Sequence, residues 1–176
     1  MRGLDVELSI ANSAALLARP ETHAQWVRPG LALYGVSPFA GQLGGALGLR
    51  AVMTLESTVI AVREVAAGES VGYGATWRAA RPSRIAILAG GYGDGLLRSL
   101  PSGAPVLISG RRAPLAGRVS MDMIAVDVTE LPPVTVGDQV ELWGRNLPVE
   151  EVAAAAGTIP YELLCSVSQR VPIELL

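Results

Sequence analysis

With 176 residues, 50% of them hydrophobic, the chain has material for one sizeable domain, or a small domain joined to a piece of another; its mean hydropathy of +0.39 excludes intrinsic disorder. The formal net charge is −2 and no basic cluster is longer than Arg111-Arg112, so neither nucleic acid nor an anionic membrane is an expected partner. No apolar run is long enough to cross a bilayer, and Met1 to Asp5 does not open a secretory signal, which makes a cytoplasmic location the expectation.

Val6 to Ile10 reads as a short strand, and Ala11 to Arg19 as a helix opened by Asn12 or Ser13 and stopped by Pro20. Trp26-Val27 leads into Arg28-Pro29-Gly30, and Leu31-Ala32-Leu33-Tyr34-Gly35 then reads as another buried strand. One such strand-helix-strand unit cannot close a parallel sheet or barrel, so the opening reads as the tail of a larger domain. Val36 to Gly48, rich in glycine, proline and small residues, reads as a boundary.

Beyond it the pattern changes to strands joined by turns. Met53 to Val65 alternates as a strand with one wetter face, and Arg84 to Ala89 reads as a core strand. Pro105 to Ile108 follows, with Ser109-Gly110-Arg111-Arg112 as its turn, then Ile124 to Val128 and Gln139 to Gly144. Pro148 to Gly157 predicts a helix, with acids in its first turn and a glycine stop; Ile159 to Cys165 predicts a second. Arg170 to Ile173 reads as an edge strand, where a proline is tolerated. The fold class expected is mainly β, a small barrel or compact β domain after an incomplete α/β segment.

Two glycine-rich elements stand out. Val71-Gly72-Tyr73-Gly74-Ala75-Thr76-Trp77 sets a tyrosine between glycines, and Gly90-Gly91-Tyr92-Gly93-Asp94-Gly95 does so again. Such a sandwich can present a phenol at a constrained turn; two plain turns with half-buried rings are the simpler reading. Neither has the lysine that closes a phosphate-binding loop. A phenol ordinarily titrates near pH about 10, so proton transfer by Tyr73 requires nearby cations or hydrogen-bond donors. Ser13, after a strand and at the start of a helix, could hold a phosphate or simply cap the helix. Arg28 could neutralise an anion or donate to a ring nitrogen, or be solvated. Met121-Asp122 follows a basic stretch, so Asp122 sits beside cations or caps a turn.

Cys165 and His23 are each the only residue of their kind, which rules out an intrachain disulfide and leaves no metal site expected. All 14 basic side chains are arginines. A cofactor carried as a lysine Schiff base therefore cannot be anchored covalently by this polypeptide alone.

Taken in order, Ala11-Asn12-Ser13, Arg28 to Gly35, Val71 to Trp77, Gly91 to Gly95, Arg118-Val119-Ser120-Met121-Asp122 and Ile159-Pro160-Tyr161-Glu162 closely resemble the C-terminal part of alanine racemase, a pyridoxal-phosphate enzyme. The resemblance covers essentially the whole chain. It implies a remnant of the cofactor-binding (β/α)8 barrel over residues 1–36 and the C-terminal β domain over 46–176. Most of the barrel, with its lysine, is not in this sequence.

By the same resemblance, Tyr73 matches the catalytic tyrosine that handles the Cα proton opposite the lysine. Ser13, the amides of Gly30 and Leu31, and the Tyr161 hydroxyl match contacts to the phosphate of pyridoxal 5'-phosphate, with Asn12 beside them. Arg28 matches the donor to the pyridine nitrogen, Met121 an amide near the substrate carboxylate, and Tyr92 and Asp122 the passage into the pocket. The function implied is two-base interconversion of L-alanine and D-alanine in a head-to-tail homodimer, or with a complementing barrel polypeptide. The alternatives are a catalytically inactive racemase fragment and a β domain serving dimerisation or binding. The segment Arg170 to Ile173 departs from the family in lacking a second basic residue after the proline.

Overall fold

The structure, a computed structural model, describes residues 6–175; the reading of Met1 to Asp5 lies outside the described residues. Two compact units divide between Met53 and Thr54.

In the first unit, β1 (Ser9–Asn12) and β2 (Trp26–Arg28) pair in parallel, with Ser9 opposite Trp26 and Asn12 opposite Arg28. Helix α1 (Ser13–Ala18) joins them, and Asn12 caps it: the Ala15 amide donates to Asn12 Oδ1 at 3.0 Å. Pro20 opens a short 3-10 turn rather than continuing the helix. The strand expected over Leu31 to Gly35 is instead a helical turn, α2 (Gly30–Leu33). The Leu33 amide donates to the Pro29 carbonyl at 3.2 Å, and the Ala32 amide to Ser13 Oγ at 3.1 Å. Four apolar residues carry no period that separates a helical turn from a strand, and the acceptors from Ser13 and Pro29 decide it. Ala11 and Leu31 are buried, whereas Val6, Leu8 and Ile10, at alternate positions, are exposed by 60%, 50% and 59%.

The second unit begins with the long strand β3 (Leu55–Val65) and a small hairpin, β4 (Ser70–Val71) and β5 (Trp77–Arg78). Then come β6 (Ser83–Ala89), β7 (Pro105–Ile108), β8 (Arg111–Pro114), β9 (Met123–Asp127) and β10 (Gln139–Trp143). Six of these strands form one antiparallel sheet in the order β8-β7-β10-β3-β6-β9. The sheet curls until its edges meet: Leu115, just past β8, bridges Val126 of β9, and the Ala116 amide donates to the Ala125 carbonyl at 2.8 Å. Closure satisfies edge groups that an open sheet would leave for other chains. Val59, Ile85, Leu88, Ile108, Val126 and Trp143 are all buried. Helix α3 (Val149–Ala155) buries Val149, Val152 and Ala153, and α4 (Pro160–Ser166) follows it.

Two sequence expectations need correction here. The turn expected over Ser109 to Arg112 is only Ser109-Gly110, at φ 47° and 76°, a two-residue hairpin loop that places Arg111 opposite Ile108 and starts β8. Arg111 and Arg112 disguised that strand because only Ala113 within it faces the core. Arg170 to Ile173 is not an edge strand: the Val171 amide turns back to the Ser168 carbonyl at 3.1 Å, and Pro172 has no amide to give a ladder. No helix among the described residues is long and apolar enough to cross a membrane.

Candidate functional site

Tyr73 stands at the tip of the β4-β5 hairpin with 68% of its surface exposed. Gly72 at φ 78° and Gly74 at φ 74° make the turn, in the left-handed region that a side chain resists. The segment after β8 supports the hairpin. A Cβ on Gly117 would stand 2.9 Å from the Val71 carbonyl oxygen, and one on Gly74 would stand 3.6 Å from Nη1 of Arg118. A cation therefore lies beside the turn that carries the phenol. Arg118 and Arg98 both line a neighbouring pocket of about 610 Å³, with Thr76 and Ser102.

The second glycine element is zipped by its backbone to the segment containing Met121. The amides of Gly90, Tyr92 and Gly93 donate to the carbonyls of Asp122, Ser120 and Met121 at 2.8, 3.0 and 2.9 Å. A Cβ on Gly91 would strike the Ser120 and Met121 carbonyls, so glycine is required for this approach. Tyr92 is 42% exposed, with the Arg98 guanidinium carbon 6.0 Å from its ring centroid. Met121 is half exposed, and the Asp122 carboxylate accepts from Arg170 Nη2 at 2.6 Å. The structure thus brings Tyr92, Met121 and Asp122 into one assembly.

Ser13, Arg28, Gly30 and Leu31 gather in the first unit, at the C-terminal ends of the parallel strands β1 and β2, where strand-to-helix turns leave amides free for ligands. Ser13 is 2% exposed; its hydroxyl donates to the Pro29 carbonyl at 2.6 Å and accepts from Ala32. Arg28 reaches the Ile10 carbonyl through Nη2 at 3.4 Å, and Asn12 is committed to its cap. Tyr161 belongs to the second unit, in the first turn of α4, and is 47% exposed. For the pyridoxal phosphate implied by the resemblance, the fit is partial. Gly30 and Leu31 place the first two amides of α2 without intrahelical acceptors, suited to a phosphate. The covalent anchor does not fit, since the chain has no lysine.

Three arginines escaped the sequence reading as site residues: Arg118 beside Gly74, Arg98 over Tyr92, and Arg170 on Asp122. Arg118 was at hand as the first residue of a quoted block. Arg98 stands six residues after Tyr92, a spacing that no turn rule singles out, and Arg170 gave no local signal because Asp94 and Asp122 are met only through tertiary folding.

The family model described as "Alanine racemase, C-terminal domain" matches residues 52–175, and "Alanine racemase, N-terminal domain" matches residues 2–38. An alanine racemase of Stutzerimonas stutzeri is 58% identical over 164 residues, 93% of this chain and 46% of the relative. The crystal structure of the biosynthetic alanine racemase from Pseudomonas aeruginosa superposes with a TM-score of 0.93 at 56% identity, covering 97% of this chain and 47% of that one. The alanine racemase from Bartonella henselae with covalently bound pyridoxal phosphate superposes with a TM-score of 0.85 at 37% identity, covering 95% and 46%. The chain spans about half the length of the curated relatives it matches. With its curled β domain preceded by a short barrel-type segment, it belongs to the alanine racemase family and corresponds to that family's C-terminal half.

Proposed function

We propose that this chain is the C-terminal half of a pyridoxal-phosphate-dependent alanine racemase, inactive by itself and completed by a lysine-bearing barrel polypeptide. The observation that supports it best is the outward presentation of Tyr73 on a glycine hairpin, within reach of a second polypeptide, with Arg118 alongside. In this reading Tyr73 moves the Cα proton of alanine on one face, and a lysine from the complementing barrel moves it on the other. Bound pyridoxal phosphate supplies the electron-withdrawing ring that makes the Cα proton acidic.

The chain's own residues hold and orient. Gly30 and Leu31 would give their amides, and Ser13 its hydroxyl, to the phosphate, with Asn12 fixing the turn that carries Ser13. Ser13 would turn its proton from the Pro29 carbonyl to do so. Arg28 would be the donor to the pyridine nitrogen, a cation there disfavouring its protonation. The Met121 amide receives the alanine carboxylate, and Tyr92 and Asp122 border the passage to it. In a head-to-tail dimer, Tyr73 would serve the partner's cofactor rather than its own.

The test is reconstitution. The purified chain shows no alanine racemisation, and mixing it with a complementary barrel polypeptide and cofactor produces it. Racemisation by the lysine-free chain alone, or none from a folded mixture, overturns the proposal. The closed core lets the second unit stand as a compact body of its own; that the β domain acts instead as a dimerisation module would be selected by sedimentation of the chain alone as a stable dimer, with no activity in the mixture.

A further inference from the structure

Arg170 spans two loops. Its Nη2 donates to Asp122 Oδ1 at 2.6 Å, and its Nε lies 3.5 Å from Asp94 Oδ1. Asp94 uses its other oxygen to accept the Gly91 amide at 2.9 Å, so one carboxylate links Arg170 to the start of the Tyr92 loop. The surrounding chain supports the same join: Ser168 Oγ donates to the Gly93 carbonyl at 2.7 Å and Ser166 Oγ to that of Gly95 at 2.6 Å. Gly93 leaves the space the guanidinium needs, since a Cβ there would meet Arg170 Nη1 and lie 3.1 Å from the Met121 carbonyl oxygen.

Arg170 is 53% exposed, so each ion pair taken singly is screened and weak. Its value is geometric: a planar guanidinium that donates to Asp122 on one edge and faces Asp94 as an ion pair on the other constrains the separation of the two carboxylates, which a lysine's single point charge does not. The Asp122 hydrogen bond, followed by the charge of Asp94, raises the Arg170 pKa above its ordinary value, so the cation persists at any pH used for assay.

We propose that Arg170 is a positioning residue: by bridging Asp94 and Asp122 it fixes the Tyr92 loop against the Ser120 to Asp122 segment, and so sets where Tyr92 and the Met121 amide meet an amino-acid substrate. The substrate consequence rests on the racemase reading above; the bridge itself does not. Deprived of it, the loop keeps its backbone hydrogen bonds but opens more often, because the side-chain restraint across the join is gone.

The test uses the full chain with Arg170→Met and Arg170→Lys, followed by amide hydrogen exchange. In Arg170→Met the amides of Gly90, Tyr92 and Gly93 exchange about tenfold faster while those of β3 and β6 are unchanged, and Arg170→Lys lies between. Unchanged exchange at the three amides overturns the bridge, as does acceleration spread evenly through the sheet. In an active reconstituted pair, Arg170→Met raises KM for alanine about tenfold and leaves kcat within about twofold. An unchanged KM there overturns the substrate consequence. If the wild-type pair shows no racemisation, the racemase reading fails, and the exchange experiment still decides the bridge.

Discussion

The Arg118 guanidinium lies against the backbone of Gly74, so that a Cβ on that glycine would stand 3.6 Å from Nη1 and 3.8 Å from Cζ. Those are ordinary contact distances, so space alone does not require glycine. The requirement is conformational: φ is 74° and ψ 11° in the middle of the turn that presents Tyr73. Gly74→Ala is expected to destabilise the chain by about 1–2 kcal/mol, with Gly74→Asn recovering part because asparagine tolerates the left-handed region. Urea denaturation of the three proteins checks this. Equal midpoints for glycine and alanine would show that the turn relaxes to another conformation.

Tyr73→Phe removes one hydroxyl from a ring that is already largely exposed, so fold and stability are expected to be unchanged by circular dichroism. In the reconstituted pair the effect should fall on one face of alanine. Deuterium exchange at Cα, followed separately for the L and D substrates, is expected to drop by about 10²–10⁴ for one enantiomer and persist for the other, since losing one acid-base group leaves the lysine in place. Equal losses for both substrates would take the one-sided role away from Tyr73.

What could be read in the chain and what could not divide along the range of the interactions involved. β3, β6, β7, β9 and β10 were legible because alternation and glycine turns are local, and Pro148 to Gly157 announced α3 by its own composition. α2 was misread because Ser13, far back in the sequence, supplies the acceptor that favours a helical turn over a strand. β8 was missed because its strand character comes from pairing with β7 while its arginines face water. Tyr73, Tyr92, Met121 and Asp122 were identified as candidates from their blocks. That Arg118 and Arg170 stand among them depends on contacts of long sequence separation, which no spacing rule encodes.

The sheet predicts its own weak points. Leu88, next to last in β6, is fully buried on a strand paired with β3 and β9 on its two sides, whereas Ile60 on β3 is 45% exposed. Leu88→Ala is expected to cost about 2–5 kcal/mol, from lost transfer energy and the cavity left behind. Ile60→Ala should cost about 0.5 kcal/mol or less. Thermal and urea unfolding of the two variants measure the contrast, and similar costs at the two positions would contradict the difference in burial between Leu88 and Ile60.

Arg112 and Glu151 tie β8 to α3 through two parallel hydrogen bonds, Nη1 to Oε2 at 2.8 Å and Nη2 to Oε1 at 3.1 Å. With the side chains 53% and 31% exposed, solvent screens the pair, and a coupling of about 0.5–1 kcal/mol is expected. The hydrogen bond to Glu151 raises the Arg112 pKa above its ordinary value, burial opposes this, and the charge of Glu151 adds to it. A cation with a raised folded-state pKa stabilises fully below the unfolded value and loses that stabilisation only as pH rises through the folded one. Titration of Arg112 therefore changes nothing between neutral pH and about pH 10, far below the arginine range. A double-mutant cycle with Arg112→Met and Glu151→Gln should return the coupling at low salt and a smaller one in about 1 M sodium chloride, where the screening length falls to about 3 Å. Zero coupling at low salt would mean that the Arg112–Glu151 pair contributes nothing to holding α3, whose Val149, Val152 and Ala153 are buried.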